Sequence, residues 1–396
     1  MKSTKNILVL TYWSFSDALI QTYTLPYLKQ IAEVLSEESK IYLVTLEKNN
    51  SSGIIELEGS NLINIQYPYS AFGLAASLSW LKNIFSLKNI IKKNNIDVIH
   101  AFCTPAGMIG YILSRLSHRP LILDSYEPHS EAMVENGEWT KNSLSFKLLF
   151  YFEKKQSQRA TTIIGTTPGM KDYALRKYNV AVKDFYFKPA CVDLEIFKPD
   201  VKKNMQLINE LQLNNKIVCV YAGKFGGIYL KNEVFEFYKA CYQKWNDNFV
   251  ALILTSHPEE EINNLITLYN LPKTIFRIIF VQHAQIHKYI GLGDFAITPV
   301  KPVPTKKYCT PIKNGEYWAL GLPIVITKNI SVDSNIIDTN NTGFVLNELN
   351  MAEYQKAVEK ISALLSDNTL TLKIRQIAER ERNYSISKTI YRTIYS

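Results

Sequence analysis

Short apolar, β-branched runs alternate with longer amphipathic segments along the whole of this 396-residue chain. A strand followed by a helix, repeated many times, is typical of α/β layers built on a parallel sheet. We therefore predict an α/β protein. The predicted strands are 6–12, 41–46, 62–67, 97–102, 120–125, 161–166 and 185–189, and then 217–223, 249–255, 276–281, 295–300 and 324–327.

The alternation is interrupted once, between Pro189 and Pro199, and starts again at Ile217. A polar segment bracketed by two prolines is a linker signal. Because the length also exceeds that of one typical domain, we predict a first domain at 1–195 and a second at 196–382. The last residues, 383–396, are predicted as a separate amphipathic helix. Ligands of such sheets bind at the carboxyl ends of the strands, so we expect a site in a cleft between two facing sheets.

Composition narrows the function classes. The net charge of +9 fits an anionic small ligand or an anionic membrane surface better than nucleic acid, because no nucleic-acid-reading motif accompanies it. The five cysteines are scattered without a CxxC pair, which argues against a zinc site and for a reducing cytosol. The first apolar run is too short for a secretory signal, and no run is long enough to span a membrane. We expect a cytoplasmic protein that needs no metal.

The most informative segment for function is 308–327, YCTPIKNGEYWALGLPIVIT. It predicts a loop closed by Pro311, a helix of two turns at 315–320, a stop at Gly321 and a buried strand. A helix start such as that at Pro311 and Ile312 presents free N–H groups to a phosphate. Glu316, early in the helix, is placed to accept hydrogen bonds from a ribose diol, or only to face the helix dipole.

The segment from Glu316 to Val325 resembles the donor-binding element of GT-B glycosyltransferases, in particular the retaining glycosyl group 1 (family 4-like) enzymes. The linker CVDLEIFKP, at 191–199, is similar to the interdomain stretch of the same family. The resemblance implies two Rossmann-like domains, an acceptor side in the first, and a uridine or guanosine diphospho-sugar in the second. It also implies a terminal helix that crosses back to the first domain.

The resemblance further implies which cations hold the donor diphosphate. Gly223 opens a glycine-rich turn, Lys224 stands where the family has an arginine, and Lys231 lies near its second lysine. Two cations beside a helix start would stabilise a departing diphosphate. The alternative is a solvated turn with surface lysines. Lys313, at the start of the helix, would either reach a phosphate or remain in water.

One position departs from the family pattern. Its retaining members carry two glutamates seven residues apart, and the partner position of Glu316 is Tyr308 here. The lost carboxylate ordinarily contacts the donor sugar. The identity of the sugar and the stereochemical outcome are therefore left open, and a non-catalytic GT-B-like subunit that binds a sugar nucleotide is an alternative to an enzyme.

In the first domain, the strand 120–125 runs into a loop that carries Glu127 and His129. The family often places an acid or a histidine there, in contact with the transferred sugar, so we predict both as catalytic residues. The alternative for His129 is a structural or helix-capping role. The basic amphipathic stretch 72–93 either packs on the sheet or lies on an anionic bilayer, which would make the protein peripheral at the inner face of the membrane. The expected acceptor is a glycan, a lipid-linked or a protein-linked sugar.

Overall fold

The structure is a computed structural model that describes residues 3–48, 52–57, 60–69, 74–182 and 184–396. The chain divides into two compact units. Unit 1 comprises Met1–Lys188 and Ser385–Ser396, and unit 2 comprises Pro189–Tyr384. The division falls a few residues before the predicted boundary at 195/196 and two residues after that at 382/383.

The described part of unit 1 contains one sheet of eight strands, in the order β3-β4-β2-β1-β5-β6-β7-β8. Its strands are parallel except β3, which pairs antiparallel with β4 at the edge. The sequence did not predict β3, which is short and whose four residues are all exposed. The strands are β1 Ile7–Leu10, β2 Ile41–Glu47, β3 Gly53–Glu56, β4 Leu62–Pro68, β5 Val98–Phe102, β6 Leu121–Tyr126, β7 Thr162–Gly165 and β8 Asp184–Phe187.

Helices follow the strands of unit 1 as predicted. The first helical segment runs from residue 18 to 34 and contains a π-helical turn at Ile20–Thr24, directly before α1. Pro26 lacks the N–H that a continuous ladder would use there. The helices are α1 Leu25–Val34, α2 Leu74–Lys93, α3 Thr104–Ser117, α4 His129–Glu135, α5 Leu144–Arg159 and α6 Met170–Tyr178. For α2, Ile84, Leu87 and Ile91 are buried, so the part of this helix whose side chains are described packs inward. Phe72 lies outside the described residues.

Unit 2 contains a second sheet, all parallel, in the order β11-β10-β9-β12-β13-β14 among its described residues. Every predicted strand of this half is present, and β14 was not predicted. The strands are β9 Ile217–Ala222, β10 Phe249–Leu254, β11 Phe276–Ile279, β12 Phe295–Thr298, β13 Ile324–Thr327 and β14 Gly343–Leu346. The strand order reverses between β9 and β12, and a doubly wound sheet binds its ligands beside such a point, at the carboxyl ends.

The helices of unit 2 pack with this sheet around one apolar core. They are α7 Met205–Glu210, α8 Asn232–Trp245, α9 Glu259–Leu268, α10 His283–Ile290, α11 Ile312–Ala319, α12 Asp333–Asn340, α13 Met351–Leu364 and α14 Leu370–Glu381. The final helix, α15 Tyr384–Tyr395, lies almost wholly in unit 1.

A buried polar cluster joins α15 to the sheet of unit 1. Lys188 Nζ lies 2.8 Å from Asp124 Oδ1 and donates to Tyr391 Oη at 2.8 Å, while Tyr391 donates to Asp124 Oδ2 at 2.7 Å. His100 Nε2 donates to the same carboxylate at 3.1 Å, and its Nδ1 accepts from Tyr395. Burial alone would raise the pKa of Asp124, but Lys188 and His100 hold it below its ordinary value. The cluster fixes the terminal helix, so Asp124 has a structural role.

Candidate functional site

The helix α11 begins at Ile312, three residues before the predicted start, because Pro311 occupies the N-cap and leads directly into the helix. Its end is as predicted. The Gly321 N–H donates to Trp318 O and the Leu322 N–H to Tyr317 O, both at 2.9 Å, and Gly321 has φ +69°. This double hydrogen bond is a Schellman motif. The early start places Glu316 in the second turn, beyond the first-turn position that a helix-dipole partner needs.

Buried polar contacts fix the inner face of α11. Asn314 Oδ1 accepts from the Thr298 hydroxyl, and Asn314 Nδ2 donates to Asp333 Oδ2 at 2.7 Å. The other oxygen of Asp333 accepts from the guanidinium of Arg382, which is fully buried. In addition, the Ala222 N–H donates to Tyr317 Oη at 3.0 Å, so α11 is attached directly to the end of β9. The helix is therefore held rigidly beside the carboxyl ends of β9 and β12.

Lys313, on the first turn of α11, is the most unusual residue of the site. Its side chain is buried, and Nζ has no hydrogen-bond partner among the described residues. Nζ lies 4.1 Å from the ring centroid of Tyr229 and 4.7 Å from that of Tyr221. Burial lowers the pKa of Lys313 to about 7, against the opposing effect of the Glu316 carboxylate. An ammonium in this position has two aromatic faces for contact but lacks an acceptor.

Gly223 is required by this arrangement. A Cβ at Gly223 would lie 2.5 Å from Lys313 Nζ and 2.9 Å from Tyr221 Oη. The loop after Gly223 is fixed in turn, because Leu230 donates to Pro299 O at 2.7 Å and Tyr229 forms a bridge with Val300. In the structure the group that comes close to the Gly223 backbone is therefore the Lys313 side chain, and the predicted approach to a bound ligand stays a prediction.

The other predicted donor residues are less enclosed. Lys224 is exposed, and its carbonyl accepts from Tyr221 Oη. Lys231 forms an ion pair with Glu261 at 3.0 Å, and this hydrogen bond is the main reason that the pKa of Glu261 is lowered. Glu316 is mostly buried, with 12% of its side chain exposed, and Oε1 lies 3.8 Å from His283 Nε2. His283 starts α10, and no sequence signal pointed to it.

Tyr308, at the position of the missing glutamate, is buried at the end of a 3₁₀ turn. Lys307 Nζ lies 5.0 Å from its ring centroid. The position therefore holds a packed aromatic ring in contact with a cation. A second carboxylate does not enter the site from this loop, because Cys309, Thr310, Pro311 and Ile312 complete it.

In unit 1, the predicted residues Glu127 and His129 follow β6. The Glu127 carbonyl accepts from the His129 N–H at 2.9 Å and from the Thr104 hydroxyl at 2.8 Å. His129 is partly exposed and is the first residue of α4. The next residue, Ser130, donates its N–H and its hydroxyl to the buried carboxylate of Glu153. Burial raises the pKa of Glu153 to about 7, although these donors oppose the shift. The structure thus orients the start of α4, while the roles of Glu127 and His129 stay predictions.

Comparison with known protein families identifies the type of domain found in unit 1. Residues 15–166 match the family model described as Glycosyl transferase 4-like. This region is a glycosyl transferase 4-like domain. The predicted class of enzyme, a glycosyltransferase (EC 2.4), is confirmed by this match. No curated protein sequence matches the chain significantly.

Solved structures confirm the GT-B fold of this glycosyltransferase. Sucrose-phosphate synthase from Thermosynechococcus elongatus has 15% identity and a TM-score of 0.75, with 99% of this chain and 98% of that chain covered. HepE from Anabaena, in complex with UDP, has 14% identity and a TM-score of 0.72, with 99% of both chains covered. WaaG, a glycosyltransferase involved in lipopolysaccharide biosynthesis, has 12% identity and a TM-score of 0.70, with 98% and 99% covered. At such identities the likeness shows the fold alone.

Among the described residues, no helix combines the length and the apolar character that crossing a membrane requires. The predictions of a cytoplasmic location and of a reaction without metal stay predictions.

Proposed function

We propose that this glycosyltransferase takes a sugar from a uridine or guanosine diphospho-sugar bound in unit 2. The acceptor is a glycan, a lipid-linked or a protein-linked sugar that binds unit 1. HepE supports the choice of donor, because it has been solved with UDP, with UDP and glucose, and with UDP-glucose. WaaG, whose fold is the same, acts in lipopolysaccharide biosynthesis, which favours a role in surface polysaccharide or glycoconjugate synthesis.

The observation that carries the proposal is the position of Lys313. A buried ammonium with no acceptor among the described residues lies at the N-terminus of a helix, beside Gly223 and within reach of Glu316 in the next turn. Anions bind such helix starts, because free N–H groups and the helix dipole both favour negative charge. A diphosphate would supply the acceptors that Lys313 lacks.

The remaining residues take roles consistent with their exposure. Glu316 accepts hydrogen bonds from the ribose hydroxyls, next to His283. Lys224 neutralises charge on the leaving diphosphate from the solvent side. Lys231 contributes less to neutralising the diphosphate, because its ion pair with Glu261 already balances its charge. His129 and Glu127 contact the transferred sugar or the acceptor in unit 1.

Calorimetric titration with UDP and with GDP tests the donor site directly. Glu316→Ala should weaken binding by about 1–3 kcal/mol, because the ribose hydroxyls lose a buried acceptor. Glu348→Ala, which removes an exposed carboxylate from the same unit, serves as the matched control. Full affinity for both nucleotides in the Glu316→Ala variant would contradict the assignment.

Tyr308 supports a second candidate function, that of a subunit which binds a sugar nucleotide without transferring the sugar. A buried aromatic ring stands where the retaining pattern has a carboxylate for the donor sugar. Incubating the purified chain with UDP-glucose and GDP-mannose separates the two functions. Release of the free nucleotide, by transfer or by slow hydrolysis, supports the enzyme, whereas tight binding with no release supports the subunit.

A further inference from the structure

Helix α5 of unit 1 exposes a row of large apolar side chains. Leu144, Leu148 and Tyr151 have relative exposures of 79%, 40% and 52%. Their spacing of four and three residues places them on one face of the helix. The opposite face packs inward through Leu149, Gln156 and others. We call the outward row, with the lysines described next, the α5 face.

The charges of the α5 face are all positive. Lys147 and Lys155 lie on the same row by helical spacing, and Lys154 borders it. Lys155 Nζ lies 5.4 Å from the ring centroid of Tyr151, so cation and aromatic ring are adjacent. The single acid of the helix, Glu153, is buried on the other face, where Ser130 and Tyr178 donate to it.

We propose that the α5 face binds the surface of a membrane that contains anionic phospholipid. Aliphatic side chains next to lysines suit such a surface, because the apolar groups enter the acyl boundary while the ammonium groups meet lipid phosphates. The inference is independent of the sugar donor, since it concerns another surface of the protein.

Two other occupants fit the α5 face less well. A second copy related by two-fold symmetry would bring the same lysines together, and like charges in contact oppose association. Nucleic acid would pair with the lysines, but it offers little to the exposed Leu144 and Leu148, because its binding proteins contribute aromatic stacking groups instead. A lipid surface would contact both the apolar side chains and the lysines of the α5 face.

The described side chains make α5 a better candidate for a membrane-binding surface than the stretch 72–93, which the sequence analysis considered. In the part of α2 whose side chains are described, Ile84, Leu87 and Ile91 are buried and Phe85 is the large apolar residue left exposed. Helix α5 exposes three such residues in one row. In that part of α2, the amphipathic pattern therefore serves mainly to pack the helix inward.

Co-sedimentation of the full chain with vesicles tests the proposal. We expect binding to phosphatidylcholine vesicles that contain phosphatidylglycerol, weak binding to pure phosphatidylcholine, and a decrease as salt is raised. The triple variant Leu144→Ser/Leu148→Ser/Tyr151→Ser should reduce binding to the anionic vesicles about tenfold or more. Lys147→Glu should reduce it about fivefold or more, because each lysine near the surface contributes roughly that factor.

The controls are matched in exposure. Leu268→Ser/Phe280→Ser/Leu372→Ser removes three residues that are 65%, 70% and 65% exposed in unit 2, and Lys273→Glu reverses an exposed charge there. Thermal unfolding and UDP affinity verify that every variant is folded. The proposal is overturned if the wild-type chain ignores anionic vesicles, or if both triple variants lose binding equally. If the wild-type chain instead self-associates without binding vesicles, and the Leu144/Leu148/Tyr151 variant does not self-associate, the occupant of the α5 face is a second copy of the chain.

Discussion

Binding of the donor nucleotide should take up a proton at Lys313. In the free protein the pKa of this lysine is about 7, because the side chain is buried. A diphosphate beside Nζ adds negative charge and hydrogen-bond acceptors, and both favour the charged form. The pKa of Lys313 therefore rises on binding, and the protein must acquire a proton wherever the lysine was neutral before.

The size of the effect follows from the pKa. At about pH 8, roughly one unit above that pKa, most of Lys313 is neutral and the terminal phosphate of UDP is already ionised, so saturation with UDP should take up most of one proton per chain. Because the neutral lysine must first be protonated, affinity for UDP should fall about tenfold per pH unit above pH 7. The tyrosines in contact with Lys313 do not interfere, since burial raises the pKa values of Tyr221 and Tyr229.

Calorimetric titration in buffers with different ionisation enthalpies measures the uptake. Lys313→Met is the control, because it keeps an unbranched apolar chain between the tyrosines but cannot be protonated. At about pH 6, Lys313→Met should bind UDP more weakly than the wild type does. The affinities of the two proteins should become similar as the pH rises to about 9. Any pH dependence of UDP binding that survives in Lys313→Met does not come from Lys313.

Two results would refute this reasoning. One is an uptake below about 0.2 proton at pH 8 in a wild-type chain that does bind UDP, since Lys313 would then be charged throughout or remote from the phosphates. The other is an equal loss of affinity with pH in the wild type and in Lys313→Met. Failure to bind any nucleotide would refute the donor site itself, which is a different conclusion.

Three further predictions concern other contacts. Gly223→Ala should weaken UDP binding about as much as Lys313→Met, because the new Cβ would displace Nζ, and titration at neutral pH checks it. His129→Ala should lower the turnover of sugar transfer more than the donor affinity; unchanged turnover would remove His129 from the site. Tyr391→Phe should lower the free energy of unfolding by about 1–3 kcal/mol, because buried Lys188 and Asp124 each lose a hydrogen bond, and denaturant unfolding at constant pH measures the loss.

The sequence predicted the fold well because the strands of both sheets are continuous apolar runs, and these are the clearest local signal. Its failures have local physical causes. The edge strand β3 is only four residues long and all four are exposed, so its sequence lacks the alternation or the long apolar run that marks a buried strand. The early start of α11 depends on Pro311, which is the N-cap of the helix. A proline is equally compatible with the end of a loop, so the sequence alone does not fix the first residue of the helix. The stop at Gly321 was predictable, because a glycine with positive φ is what a Schellman motif requires.

The sequence singled out the residue types of the candidate site, but it could not show how deeply each residue is buried. The sequence does not distinguish the surroundings of the three lysines: in the structure Lys224 is exposed, Lys231 is paired with Glu261, and Lys313 is buried between Tyr221 and Tyr229. The rings that surround Lys313 lie more than 80 residues earlier in the chain, so only the fold brings them together. For Lys313 the loss of hydration has already been incurred on folding. Below about pH 7, where Lys313 is charged, an arriving diphosphate would therefore meet a desolvated cation without removing its water, and we expect Lys313 to be the strongest of the three proposed anchors for the donor there.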